Sequence, residues 1–180
     1  MNIKKIFSVL LFCIPVFMMG QSYTNTFSVS GGMFGEGYGG EFTLDTNLSE
    51  TTFTELALNV SIANYQSGIK SIPYSSITAS YSYFITLYSR NRRMQALSLG
   101  GGVLAGYEMV NNGEVEVSNI VSVNGESKFI YGAVLTGDID IIVSEHISLI
   151  IRTSEYFHAN SDFGSFTNYT GLGLRYYFNK

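Results

Sequence analysis

The chain has 180 residues, with 14 acidic against ten basic side chains, 13 Tyr, 13 Phe and 19 Gly but only two Pro, one Cys and no Trp. A net charge of −4 lacks the basic footprint of a nucleic-acid binder, and a single cysteine allows neither an internal disulfide framework nor a thiolate metal site. Beyond the N-terminus no stretch approaches the about 18 consecutive apolar residues of a spanning helix, so any membrane crossing has to be made by a closed barrel of strands.

The chain opens Met1-Asn2-Ile3-Lys4-Lys5, continues with an apolar run from Ile6 to Met19 broken only by Ser8 and Pro15, and leaves through Gly20-Gln21-Ser22. A positive start, a short apolar core and a small-residue exit describe a secretory signal. Pro15 would break a membrane helix. Cleavage is expected after Gly20, giving a signal peptide at 1–20 and one outer-membrane β-barrel domain at 21–180. A lipoprotein signal acylated at Cys13 is the rival, but the apolar core continues past that cysteine through Met19.

The remainder divides into eight pieces of about 10 residues with alternating character, the pattern of a transmembrane barrel strand. The first, Thr24 to Phe34, sets Phe27, Val29 and Met33 against Ser28, Ser30 and Gly32, and Gly35-Glu36-Gly37 supplies a tight turn. The second, Tyr38 to Thr46, opposes Tyr38, Phe42 and Leu44 to Glu41, Thr43 and Asp45, and Asn47-Leu48-Ser49-Glu50 turns the chain. The third opposes Leu56, Leu58, Val60 and Ile62 to Ala57, Asn59, Ser61 and Ala63. A loop is expected through Gln66-Ser67-Gly68 and Pro73. The fourth then opposes Ile77, Ala79, Tyr81 and Tyr83 to Thr78, Ser80 and Ser82, ending near Leu87, before the polar connection Ser89 to Arg93.

The fifth piece, Ala96 to Val110, has Leu97, Leu99, Val103, Ala105 and Tyr107 on one side; its Gly100, Gly101 and Gly102 call for a bend, a bulge or a close backbone approach. The sixth opposes Phe129, Tyr131, Ala133, Leu135, Ile139 and Ile141 to Gly132, Thr136, Asp138 and Asp140, and two carboxylates of one parity mark that side as wet. After the short Val143 to His146, the seventh opposes Ile147, Leu149 and Ile151 to Ser148, Ile150, Arg152 and Ser154. The last, Phe166 to Phe178, opposes Leu172, Leu174, Tyr176 and Phe178 to Gly171, Gly173, Arg175 and Tyr177.

Eight strands with both ends inside put the first, third, fifth and seventh connections outside the cell. Three of these four read as long, the longest from Val110 to Lys128. The fold class is therefore all-β, an eight-stranded antiparallel up-and-down transmembrane barrel; a soluble periplasmic barrel or sandwich would also alternate but would show no such bias in its loops. Asp138, Asp140, Arg152 and Arg175, with Glu41 beside them, share the lumen parity. They read as an internal charge network that fills and rigidifies the barrel, the alternative being a narrow ion path. Tyr81, Tyr83, Tyr107, Tyr131, Tyr176 and Phe178 suit interfacial girdles as well as strand propensity.

Catalytic candidates are weak. Ser154, Glu155, His158, Ser161 and Asp162 read as members of the seventh connection, and a Ser-His-acid set could be drawn from them, although adjacency says little about geometry. His146, beside Glu145, reads as a solvated turn residue, and the two histidines have no metal-site spacing. The Gly37 to Gly40 and Gly100 to Gly102 runs precede no helical pattern or Lys-Ser/Thr pair, which removes a phosphate loop. No catalytic residue, cofactor or metal is assigned.

From Ala96 onward the chain resembles the TraO family of conjugal transfer proteins encoded on conjugative transposons of Bacteroidetes. The resemblance rests on Ser98-Leu99-Gly100-Gly101-Gly102-Val103-Leu104-Ala105-Gly106-Tyr107-Glu108-Met109-Val110-Asn111, on Phe129 to Thr136, and on Gly171-Leu172-Gly173-Leu174. Leu104, Ala105, Gly106, Tyr107 and Glu108 form its most distinctive run, one that barrel physics alone does not require. The resemblance implies an envelope component of a DNA-transfer apparatus related to type IV secretion, with no catalytic residue. An eight-stranded barrel is filled by its own side chains, so a structural or anchoring part in the outer membrane follows more naturally than a conduit. Expected partners are outer-membrane lipid and other envelope proteins, without direct nucleic-acid contact and with the oligomeric state open. The alternatives are a generic porin-like or surface-binding barrel and, further off, a lipid-modifying barrel enzyme.

Overall fold

The computed structural model describes residues 25–67, 70–90, 95–110, 116–118, 121–122, 127–161 and 165–178. The signal reading at 1–20, Cys13 and Asp162 lie outside these residues. Eight strands form a closed barrel: β1 (Asn25–Phe34), β2 (Gly37–Asn47), β3 (Thr52–Ser67), β4 (Lys70–Arg90), β5 (Gln95–Val110), β8 (Lys128–Ile142), β9 (Ile147–His158) and β10 (Phe166–Tyr177). Two short strands, β6 (Glu116–Ser118) and β7 (Val121–Ser122), pair with each other inside the fifth connection. All barrel neighbours are antiparallel and sequential, and β1 closes on β10 from Thr26↔Tyr177 to Phe34↔Tyr169.

Period-two sequence becomes two faces because successive side chains of a strand point to opposite sides. On β9 the alternation runs unbroken from exposed Ile147 to buried His158. The outer face carries the apolar set: on β3, Leu56, Leu58, Val60 and Ile62 are 45–65% exposed. A protein in water rarely presents apolar area on this scale, whereas lipid demands it. This distinguishes the transmembrane barrel from the soluble one. At the turn end the Phe27 ring lies 5.6 Å from Tyr176 and 5.4 Å from Phe178, and at the loop end Phe157 and Phe166 are 5.2 Å apart. Aromatic clusters therefore flank the apolar band on both sides.

The connection at residues 35–36 turns through Gly35 at φ 54°, a left-handed conformation that glycine adopts without a Cβ clash. Two expectations need correction. The loop through Gln66, Ser67 and Pro73 is strand: β3 and β4 stay in register to Ser67↔Lys70, with Asn64 opposite Pro73. Pro73 pairs Asn64 one residue before the first described β4–β5 pair, Tyr74↔Val110, at the end of the ladder, a position where a sheet accepts proline. As β2 stops at Tyr38↔Ile62, residues 63–67 and 70–73 form a two-stranded arm among the described residues, and the third connection is a long hairpin and not a long loop. Strand β4 also passes Leu87 to reach Arg90, through a bulge between Thr86 and Tyr88.

Of the three readings of Gly100 to Gly102, close approach is the one observed, since pairing with β4 and β8 runs unshifted through all three. A Cβ on Gly100 would sit 2.5 Å from the Phe84 ring, and one on Gly102 would overlap the Tyr81 carbonyl oxygen. Gly101 faces outward with nothing nearer than 3.6 Å. Gly102→Ala is thus expected to destabilise the barrel by about 1–3 kcal/mol, the usual cost of overpacking, and Gly101→Ala to be neutral within about 0.5 kcal/mol. Urea titration of the heat-modifiable folded band would measure both, and equal midpoints for the two variants would refute the packing account.

Candidate functional site

Inside the barrel the lumen-facing positions of five strands converge on two guanidinium groups. Arg152 of β9 is 1% exposed. It donates from Nε to Asp138 Oδ1 at 2.7 Å and from Nη2 to Asp138 Oδ2 at 2.6 Å, both on β8. Its Nη1 also reaches Glu41 of β2, and its two Nη atoms hold Glu55 of β3. This planar fork suits a crowded carboxylate site, because all its donors point outward in one plane. Arg175 of β10 adds a second tier, with Nη1 to Asp140 Oδ2 at 2.6 Å, Nη2 to Asp138 Oδ2 at 3.0 Å and an ion pair to Asp45 Oδ2 at 3.1 Å.

Aromatic groups tie these tiers to the walls. Tyr156 donates to Glu41 at 2.6 Å and Tyr177 to Asp140 at 3.0 Å. Phe53 and Phe84 stack at 4.7 Å and face the two guanidiniums, each 6.0 Å from its own, within cation–π range. On the loop side of this ionic layer Phe34, Leu104, Val134, Tyr156 and Tyr169 form a buried apolar cluster. An ionic tier and an aromatic plug in series fill the lumen at mid-height.

The structure brings Glu41, Asp138, Asp140, Arg152 and Arg175 into one network, as their shared parity implies, and adds Asp45, Glu55 and Tyr156. Glu55 lies just before Leu56, where the alternation of the third strand starts to be clear, and extending that alternation back two residues from Ala57 reaches it. Tyr156 lies in residues 154–158, which are polar enough to resemble a connection but complete β9. That correction separates the catalytic candidates. Ser154 faces the lumen and shares a 2.9 Å hydrogen bond with Thr136, Glu155 faces outward, and His158 is buried with its ring parallel to Tyr156 at 6.2 Å. Ser161 donates to Glu108 at 2.8 Å, and His146 stands exposed in its turn. Among the described residues no group of three or more His, Cys, Asp and Glu could hold a metal ion.

The distinctive run on β5 alternates in the same way. Leu104 enters the apolar plug and Glu108 is fully buried, while Ala105 and Tyr107 face outward. A Cβ on Gly106 would overlap the Ile77 carbonyl oxygen. Barrel packing therefore accounts for Leu104 and Gly106, more of the run than its sequence suggested.

A family model described as conjugative transposon protein TraO matches residues 21–178, which extends the similarity upstream of Ala96 through the first two hairpins. No curated protein matches the sequence. Among solved structures, a major outer membrane protein from Thermus thermophilus superposes with TM-score 0.64 at 13% identity, over 86% of this chain and 99% of that one. Ail, the attachment invasion locus protein of Yersinia pestis, gives 0.60 at 8% identity over 88% and 100%. OprG from Pseudomonas aeruginosa gives 0.59 at 9% over 88% and 98%. At these identities the likeness is one of fold.

Because Arg152 bridges β2, β3 and β8, Arg152→Ala leaves three buried carboxylates without their main partner and is expected to cost about 3–5 kcal/mol. Arg152→Lys should fall between wild type and Ala, since an ammonium keeps the charge but not the fork. Folded fraction against urea would rank the three, and an Ala variant as stable as wild type would show that the tier contributes nothing net.

Proposed function

The chain belongs to the conjugative transposon protein TraO family, and from that premise we propose that it is a non-enzymatic outer-membrane barrel that anchors or scaffolds a conjugative DNA-transfer apparatus related to type IV secretion. The observation behind a scaffold, and against a conduit, is the filled lumen. Arg152 and Arg175 with their carboxylates, backed by the Phe34–Tyr169 cluster, occupy the space that a substrate would need. Barrels of this strand number are wide enough for side chains or one small ligand only. Strands of DNA would also meet a wall of carboxylates, so direct nucleic-acid contact has no support inside.

Two surfaces remain for partners. The apolar band and its aromatic flanks meet outer-membrane lipid. The projecting arm at residues 63–67 and 70–73 and the turns at 48–51 and 143–146 are available to other envelope proteins. Support for an outer-membrane location comes from the lipid-suited face and from the fold shared with outer-membrane barrels.

Deletion of the protein is expected to abolish transfer of its element while leaving growth unchanged, and His158→Ala in the restored copy should transfer at the parental frequency. Parental transfer by the deletion strain would sink the reading. In planar bilayers the purified barrel should show no stable conductance steps; reproducible steps would favour the porin-like alternative.

A further inference from the structure

The outer wall carries one feature that lipid does not explain. On β9, Thr153 and Glu155 face outward between Ile151 and Phe157, and on β10, Asn168 and Thr170 face outward between Phe166 and Leu172. Pairing sets them side by side, Glu155↔Asn168 and Thr153↔Thr170. The two threonine hydroxyls lie 3.3 Å apart, Thr170 donates to Asn168 Oδ1 at 3.2 Å, and Asn168 Nδ2 donates to Glu155 Oε2 at 3.4 Å. This quartet lies inside the apolar band. The Phe157–Phe166 aromatic pair stands on its loop side and Ile151 and Leu172 on its turn side, while Leu135 of β8 and Met33 of β1 flank it at 57% and 64% exposure.

Hydrocarbon offers no hydrogen-bond donor, and an ionisable side chain at such depth is costly unless it meets a partner. Within the chain Glu155 is held only by the long bond from Asn168, among the described residues. The wall beside the quartet is also low. Gly137 pairs with Thr153 and Gly31 with Leu172, and both glycines share the outward parity, with nothing nearer than 3.8 Å to an added Cβ. Small residues let two polypeptide surfaces approach closely in a bilayer, and polar side chains between them then exchange hydrogen bonds.

The quartet is complementary to itself. Its carboxylate acceptor is on β9 and its amide donor on β10, and every copy inserts with the same orientation. A twofold axis along the membrane normal, passing between these strands, sets β9 of one copy against β10 of the other. Glu155 then meets Asn168 twice, and the two carboxylates stand on opposite sides of the axis. We propose that the outer face of the last hairpin is a dimer interface between two copies of this chain within the bilayer, with Glu155 of each copy accepting from the Asn168 amide of the other and the flanking glycines admitting the close approach. The inference rests on the outer-membrane placement and not on the transfer role.

Folded protein would be reconstituted in phosphatidylcholine vesicles, where the heat-modifiable band reports barrel insertion separately, and its dimer fraction measured by single-molecule photobleaching over a range of protein-to-lipid ratios. Wild type should dimerise reversibly. The combined variant Thr153→Val, Glu155→Leu, Asn168→Leu, Thr170→Val should associate about tenfold more weakly, the scale of polar contacts in a bilayer, while folding at least as well. In a Cys13→Ser background, which removes the one cysteine of the sequence, Thr153→Cys should form a disulfide-linked dimer in cells, whereas Leu58→Cys, on β3 across the barrel, should not. This pair decides the matter if the apolar variant fails to fold. Wild type monomeric at every ratio, equal association of the apolar variant, or equal crosslinking of Leu58→Cys would overturn the proposal. Benzophenone maleimide attached at Thr153→Cys that captured another envelope protein and no second copy would assign the face to that partner and overturn the dimer.

Discussion

The closing ladder between β1 and β10 is the contact on which everything else rests. Backbone N–H and C=O groups facing hydrocarbon have no water to bond, so an open sheet edge within the bilayer would leave a row of them unsatisfied. Nine consecutive residue pairs, Thr26↔Tyr177 to Phe34↔Tyr169, remove that edge. Once the sheet is closed, inside and outside are defined for every strand, and the apolar parity must be the outer one. Closure also fixes the diameter, and a barrel of eight strands leaves a lumen that side chains have to occupy.

How they occupy it sets the character of the molecule. Small and polar side chains line most of the inner wall, among them Ser28, Thr43, Ser61, Ser76 and Thr136. Such a wall is too thin to fill the centre by itself. Two arginines span the gap, each collecting carboxylates both from β8 and from the β2–β3 side of the barrel, which β8 does not touch in the sheet. The same side chains therefore brace the wall and block the bore. Toward the turns, where the bracing thins out, a pocket lined by Asp45, Asp140, Arg175 and Tyr177 is left.

Alternation alone made the fold and the face of every strand legible, since side chains of parity fixed by the pleat need no tertiary information. Asp138 and Asp140 announced a wet interior by standing two apart on an otherwise apolar strand. Strand ends were less legible. Pro73 and Gly68 carry turn chemistry, yet β3 and β4 stay paired through Asn64↔Pro73 to Ser67↔Lys70, and only the pairing partners reveal that. The bulge after Thr86 shifts the alternation near Leu87, which hid the extension to Arg90. Glu55 and Tyr156 were lost from the site for this reason: each lies on the correct parity just past a misplaced strand end. The cavity at the turn end could not be read at all, because it depends on how far Arg175, Phe53 and Tyr177 reach across the lumen, which alternation does not state.

Both cations of the lumen network come from the last hairpin, Arg152 on β9 and Arg175 on β10, whereas Glu41, Asp45 and Glu55 belong to β2 and β3. During synthesis the strands β2 and β3 thus precede their counter-charges by roughly a hundred positions, as the separations of 97 and 111 residues between Arg152 and its two glutamates record. A partly assembled sheet holding only the early strands carries unbalanced negative charge on the face that will become the interior, and favours keeping that face in water. Neutralisation and ring closure arrive together with the C-terminal hairpin, so assembly has a built-in order, and a chain shortened before Arg152 loses the edge that seals the sheet and the charges that let it collapse in the same stroke.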